Sequence, residues 1–203
     1  MRLASVLVAA LLLPVTLIPS SAPAVASTPA RAAVWVVGDS VTVYAEDALR
    51  SRLATAVEGR VSIDAEVGRN VVLLDDLVRR QLARTGSPRT MVLALGTNPD
   101  ADWTRHDYRR VVDSIPDSVT VVLVTVFRSD GTASAAVVEE MRDYSRWMRI
   151  LAASRDNVCL APWRARVRAH PGRYLLDGVH PNQRGARVLA DLVADAVAQC
   201  GDD

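Results

Sequence analysis

Val119-Thr120-Val121-Val122-Leu123-Val124-Thr125-Val126-Phe127 decides the fold class. The run is β-branched, continuous and uncharged, which suits a central strand of a parallel sheet, buried on both faces. Outward from it, apolar runs alternate with helical patterns. Upstream, strand candidates lie at 34–37, 61–67 and 90–95, with helical periodicity over 41–54, 71–82 and 105–112. Downstream, Val138, Met141, Ser145 and Met148 fall at helical spacing in a long segment near 135–153. A short fifth strand is read at 157–160, and a last helix near 181–199 carries an apolar stripe of Val188, Leu189, Leu192, Val193, Ala196 and Val197. Alternating strands and helices predict an α/β protein: a flavodoxin-like three-layer α/β/α sandwich on a five-stranded parallel sheet. Such sheets bind ligands at the carboxyl ends of their strands, so the loops after strands are where chemistry belongs.

The chain has 203 residues, enough for one α/β domain and too few for two ordinary ones. Hydrophobic residues make up 50% and charged residues 23%, a globular balance that excludes disorder. Met1-Arg2, an apolar run from Leu3 to Leu17, and Ala24-Val25-Ala26 read together as a secretory signal peptide over 1–26. The apolar run is short for a membrane span, and Pro14 interrupts it, so stable insertion is not expected. Residues 27–33 read as a short leader and 34–203 as the domain. Without Arg2, basic and acidic residues balance at 23 each, and every basic residue is Arg. A neutral balance argues against a nucleic-acid partner. Arg164, Arg166 and Arg168 read as a solvated helix face. Cys159 and Cys200 suggest a disulfide in an exported protein, closing a loop worth roughly 3–4 kcal/mol. Two buried thiols are the alternative.

Four segments carry candidate chemistry. The first strand ends in Gly38-Asp39-Ser40 and turns into a helix, where backbone N–H groups and the helix dipole favour negative charge. Ser40 there is either a nucleophile or a helix cap. Gly68 follows the second strand and either offers a backbone N–H to a ligand or ends the strand. The third strand ends in Gly96-Thr97-Asn98; an Asn amide can donate to a developing oxyanion, or the residue can serve a turn. Asp177-Gly178-Val179-His180-Pro181 places a carboxylate three residues before a His, within reach of Nδ1 and leaving Nε2 as a base. His106 and His170 lack such a partner, and nothing completes a metal site around the Asp/His pair. Together these segments point to one sheet edge.

The stretch Val37-Gly38-Asp39-Ser40-Val41-Thr42 resembles the first block of the SGNH hydrolases, the GDS(L) esterase superfamily. Val67-Gly68-Arg69-Asn70 is similar to the second block, Leu95-Gly96-Thr97-Asn98 to the third, and Asp177 through His180 to the last. The order is the expected one across the mature chain. Pro99 stands where the third block usually continues with Asp, and the first block reads GDSV rather than GDSL. Val124 to Arg128, Ala161-Pro162-Trp163 and His170-Pro171 are similar to the extracellular SGNH domains of cell-envelope O-acyltransferases.

The resemblance implies an ester hydrolase or acyltransferase with Ser40 as nucleophile, His180 as base and Asp177 orienting it. The N–H groups of Ser40 and Gly68 and the Asn98 amide would form the oxyanion hole, each donor worth about 3 kcal/mol in the transition state. Such two-step acyl transfer requires no cofactor and no metal. Few aromatics and no long insertion suit a short acyl group, such as acetyl, on a larger carbohydrate or cell-envelope carrier. Arg69, Arg128 and Trp163 are the candidate substrate contacts. The expected setting is secreted or cell-envelope, and a membrane acyltransferase is the protein partner the narrower resemblance suggests. Two alternatives stand beside this reading: a non-catalytic glycan-binding module, and an extracellular interaction protein.

Overall fold

The computed structural model describes residues 32–201; the expected signal peptide and residues 27–31 of the expected leader lie outside the described residues. The last two leader residues, Ala32 and Ala33, are buried. Ala33 N–H donates to the Arg60 carbonyl, and its own carbonyl accepts from Thr90 N–H, so the fold already includes it.

Five strands form one parallel sheet in the order β2-β1-β3-β4-β5. They are β1 (Val34–Gly38), β2 (Val61–Ala65), β3 (Thr90–Ala94), β4 (Thr120–Val124) and β5 (Val158–Ala161). The register pairs Val34 with both Val61 and Thr90, and Gly38 with both Ala65 and Ala94, so the strands end together at one edge. The run at 119–127 is an interior strand, as expected, but its ladder ends early. Val126 stays buried while both its N–H and its carbonyl bond to the Ser145 hydroxyl. A helix side chain there takes over from the neighbouring strand.

Alternate residues of each strand face opposite layers, as a pleated backbone requires. Val34, Val36, Val92 and Val122 pack against α1 (Ser40–Ala56) and α7 (Gln183–Gly201). Trp35, Val37, Met91, Leu93 and Val121 pack against α2 (Leu74–Thr85), α3 (Arg105–Asp113) and α4 (Ala135–Ala152). On the first face, Leu49 and Leu53 of α1 meet Leu189 and Val193 of α7, and Arg52 pairs with Asp191 at 2.9 Å. Truncating the fully buried Leu53 to Ala would cost about 2–5 kcal/mol. It would also loosen the contact that fixes α1, which starts at Ser40, against α7, which follows His180.

Two short helices, α5 (Trp163–Val167) and α6 (Pro171–Tyr174), lie between β5 and α7. Pro181, expected to begin the last helix, instead bridges to Leu175. Asn182 Oδ1 accepts from Gly185 N–H at 2.9 Å at the helix start. The structure joins Cys159 on β5 to Cys200 near the end of α7 as a disulfide, with Cα atoms 6.1 Å apart.

Candidate active site

Ser40 is the first residue of α1, and Asp39, not Ser40, caps the helix. Asp39 Oδ1 accepts from Val41 N–H at 3.0 Å, and Oδ2 accepts from Thr97 N–H at 3.0 Å. The Ser40 hydroxyl is therefore released from capping. It lies 3.0 Å from His180 Nε2, and His180 Nδ1 lies 2.7 Å from Asp177 Oδ2. The other oxygen of Asp177 accepts from His180 N–H at 2.9 Å and Val179 N–H at 3.0 Å. With Nδ1–H donating to Asp177, Nε2 carries the lone pair that faces the hydroxyl.

The turn holding this pair depends on glycine. Gly178 has φ +84°, and a side chain there would press on Thr132 at 2.7 Å and Ser129 at 3.0 Å. Burial pulls the Asp177 carboxyl upward, but the His180 N–H, the His180 ring and the Val179 N–H outweigh it and hold the group at about 2. Asp177 is thus an anion throughout the neutral range. Asp39 goes the other way: burial raises it above its usual value, against the N–H groups of Thr97 and Val41 that lower it.

The expected oxyanion donors converge on the same edge. Ser40 N–H is at a helix start, where no intrahelical acceptor exists. Gly68 has φ +78° and open space around its Cα. Asn98 Nδ2 donates to the Arg69 carbonyl at 3.2 Å, which orients the amide and leaves its second hydrogen for a ligand. Val71 N–H donates to the Asn98 carbonyl at 3.2 Å, tying the two loops together. Asp39 steadies them from below through Thr97.

Two expected substrate contacts are corrected. Arg69 is buried, with Nη1 donating to the carbonyls of Gly38 and Asp64 at 3.3 and 2.8 Å and Nη2 paired with Asp64 at 2.7 Å. It pins the ends of β1 and β2 under the Gly68 loop. Trp163 is 1% exposed and belongs to the core beside Phe127 and Val124. Arg128 remains at the surface of a cavity, with its Nε buried and unpartnered among the described residues. Arg164 is not on a solvated face either: its guanidinium lies 5.5 Å over the Phe127 ring. Two residues went unread in the sequence. Asp39 could be seen only as a cap, because its second partner is 58 positions away. Tyr44 is half-exposed and stacks on the His180 ring at 4.5 Å and 24°. Its signal was the spacing from Ser40, one helical turn on the same face.

Among the described residues, no group of three His, Cys, Asp or Glu could hold a metal, and no helix is long and apolar enough to cross a membrane. The fold and its strand-end residues define the class: an ester hydrolase or acyltransferase of SGNH type.

The chain belongs to the GDSL-like Lipase/Acylhydrolase family, whose profile matches residues 36–188. It is 27% identical over 163 residues to the O-acetyltransferase OatA of Staphylococcus aureus, covering 78% of this chain and 24% of that protein. The chain thus spans about a quarter of the curated relative's length. Among solved structures, the C-terminal catalytic domain of Streptococcus pneumoniae peptidoglycan O-acetyltransferase A superposes with a TM-score of 0.70 at 27% identity. The match covers 85% of this chain and 96% of that one. An acetyl xylan esterase from Geobacillus stearothermophilus shares the fold, with a TM-score of 0.58 at 17% identity over 83% of this chain and 94% of that one.

Proposed function

We propose that the protein is an exported esterase that removes short acyl groups, acetyl foremost, from a cell-envelope glycan through a Ser40 acyl-enzyme. The observation that carries this reading is the unbroken hydrogen-bonded chain from Ser40 through His180 to Asp177. His180 Nε2 takes the hydroxyl proton as Ser40 Oγ attacks the ester carbonyl, and the imidazolium returns that proton to the leaving alkoxide. Asp177 holds the tautomer and offsets the imidazolium charge. Ser40 N–H, Gly68 N–H and the Asn98 amide receive the oxyanion. Water then cleaves the acyl-enzyme by the same route in reverse.

The preference for a short acyl group is supported by the surroundings of Ser40. Gly68 is exposed, and so is Tyr44, which stacks on His180, so both flank an open surface rather than a buried chain site. A glycan carrier is supported by the similarity to peptidoglycan O-acetyltransferases, and export by the sequence of residues 1–26. The same similarity favours a second reading, transfer of the acyl group to a glycan hydroxyl in place of water. Hydrolysis of p-nitrophenyl acetate, butyrate and octanoate, with and without a chitooligosaccharide acceptor, tests both. Falling kcat/KM with chain length supports the first reading, and acetylated oligosaccharide in the product supports the second. Preference for octanoate would overturn the short-acyl assignment. Mass analysis of the exported chain checks the expected processing after Ala26.

A further inference from the structure

The loop after β4 and the helices α5 and α6 enclose an open cavity of about 680 Å³ whose wall is dominated by arginine. Arg128, Arg142, Arg164 and Arg168 line it, and Asp130 is the one acid among the lining residues. Asp130 and Glu139 both pair with Arg142, at 3.4 and 2.8 Å. Among the described residues no carboxylate pairs with Arg128, Arg164 or Arg168. Three donors in the wall are buried and lack a hydrogen-bond partner: Arg128 Nε, Arg164 Nη1 and Ser129 Oγ. Buried donors left unmet are costly, and like charges gathered without a counterion add to that cost. Burial, and then the charges of Arg142 and Arg168, disfavour protonated Arg164. An anion seated in the cavity supplies the counterion that the accessible parts of these guanidinium groups lack.

The cavity also stands beside the proposed catalytic turn. Ser129 N–H donates to the Gly178 carbonyl at 2.9 Å, and Gly178 lies between Asp177 and His180. A group bound by the arginines would therefore lie beside the loop that carries Asp177 and His180.

We propose that this cavity is an oxyanion subsite that takes a carboxylate or phosphodiester carried by the glycan, so that the protein selects an anionic carrier. The inference rests on the glycan reading above for the identity of the carrier. Planar guanidinium forks suit either group, because both present paired oxygens.

Titration calorimetry at low salt on the Ser40→Ala protein tests this without turnover. The probes are a muramyl-peptide glycan fragment, a poly(glycerol phosphate) oligomer and neutral chitotetraose. At least one anionic probe is expected to bind about tenfold or more tighter than chitotetraose, as charged hydrogen bonds of this kind warrant. The stronger anionic probe identifies the source of the oxyanion. Arg164→Gln and Arg168→Gln should each remove most of that preference, and high salt should weaken it. Melting curves monitor folding; should Arg164→Gln unfold, Arg168→Gln and Arg128→Gln carry the test. Equal affinity for all three probes, or a preference that survives the substitutions, would overturn the subsite. A failure of the esterase reading would look different: anion binding would persist while the wild type left p-nitrophenyl acetate intact.

Discussion

Replacing Asp39 by Ala tests how the fold holds the site. The residue is fully buried, and its two oxygens accept from Val41 N–H next to Ser40 and from Thr97 N–H next to Asn98. Alanine strands both donors, at about 1–3 kcal/mol each. Relief of the buried carboxylate returns part of this, leaving a net loss of about 2–4 kcal/mol. For a domain of this size that lowers Tm by about 4–16 °C. The sign with pH follows from the raised folded-state pKa. Ionised Asp39 is disfavoured in the fold, so its contribution is largest below the ordinary carboxylate pKa and falls as pH rises through the folded value. The melting gap between wild type and variant should narrow over that window. Activity should fall with stability, because Ser40 and Asn98 lose a shared anchor. Calorimetry across pH and p-nitrophenyl acetate kinetics read both effects. A variant within 1 °C of wild-type Tm by this criterion and with unaltered kcat would refute the anchoring role.

On the proposed oxyanion role, Asn98→Ala should lower kcat about 10²–10³-fold with little change in KM; an unchanged kcat would remove it from the oxyanion hole. Asp177→Asn should lower kcat about 10⁴-fold by disturbing the tautomer. Because Asp177 is held at about 2, its stabilisation is present above the usual carboxylate range and fades as pH falls towards 2. Its side chain is 55% exposed, so solvent screening keeps the Tm difference small, and that difference should vanish in acid. The Cys159–Cys200 disulfide spans 41 positions, which loop-closure entropy values at about 4 kcal/mol. Cys159→Ser with Cys200→Ser should lower Tm by about 8–15 °C, and intact mass of the unreduced wild type should be two hydrogens short of the dithiol. Equal melting temperatures would contradict a stabilising crosslink.

The strands were legible because they are short, mostly apolar runs, four of the five ending at Gly or Ala, and that pattern is local. Ser40, Asn98, Asp177 and His180 could be placed at one edge because parallel topology carries every strand end to the same side. What escaped the sequence depends on side-chain direction and distant partners. Arg69 follows a strand, as a ligand-facing residue would, yet turns inward to Asp64 and Gly38. Trp163 follows β5 yet fills the core under Phe127. The helices α5 and α6 are too short to show a period, at five and four residues. Arg166 and Arg168 are exposed as read, but Arg164 folds over Phe127, a distant partner that nothing along the chain reveals.

Intact-mass analysis after rapid quenching with p-nitrophenyl acetate, followed by peptide mapping, tests the central claim most directly. The account predicts a mass gain of one acetyl group that maps to Ser40, accumulates in wild type and is absent from Ser40→Ala, with hydrolysis lost in parallel. Hydrolysis by Ser40→Ala at the wild-type rate, or an acetyl group mapped to another residue, would contradict it.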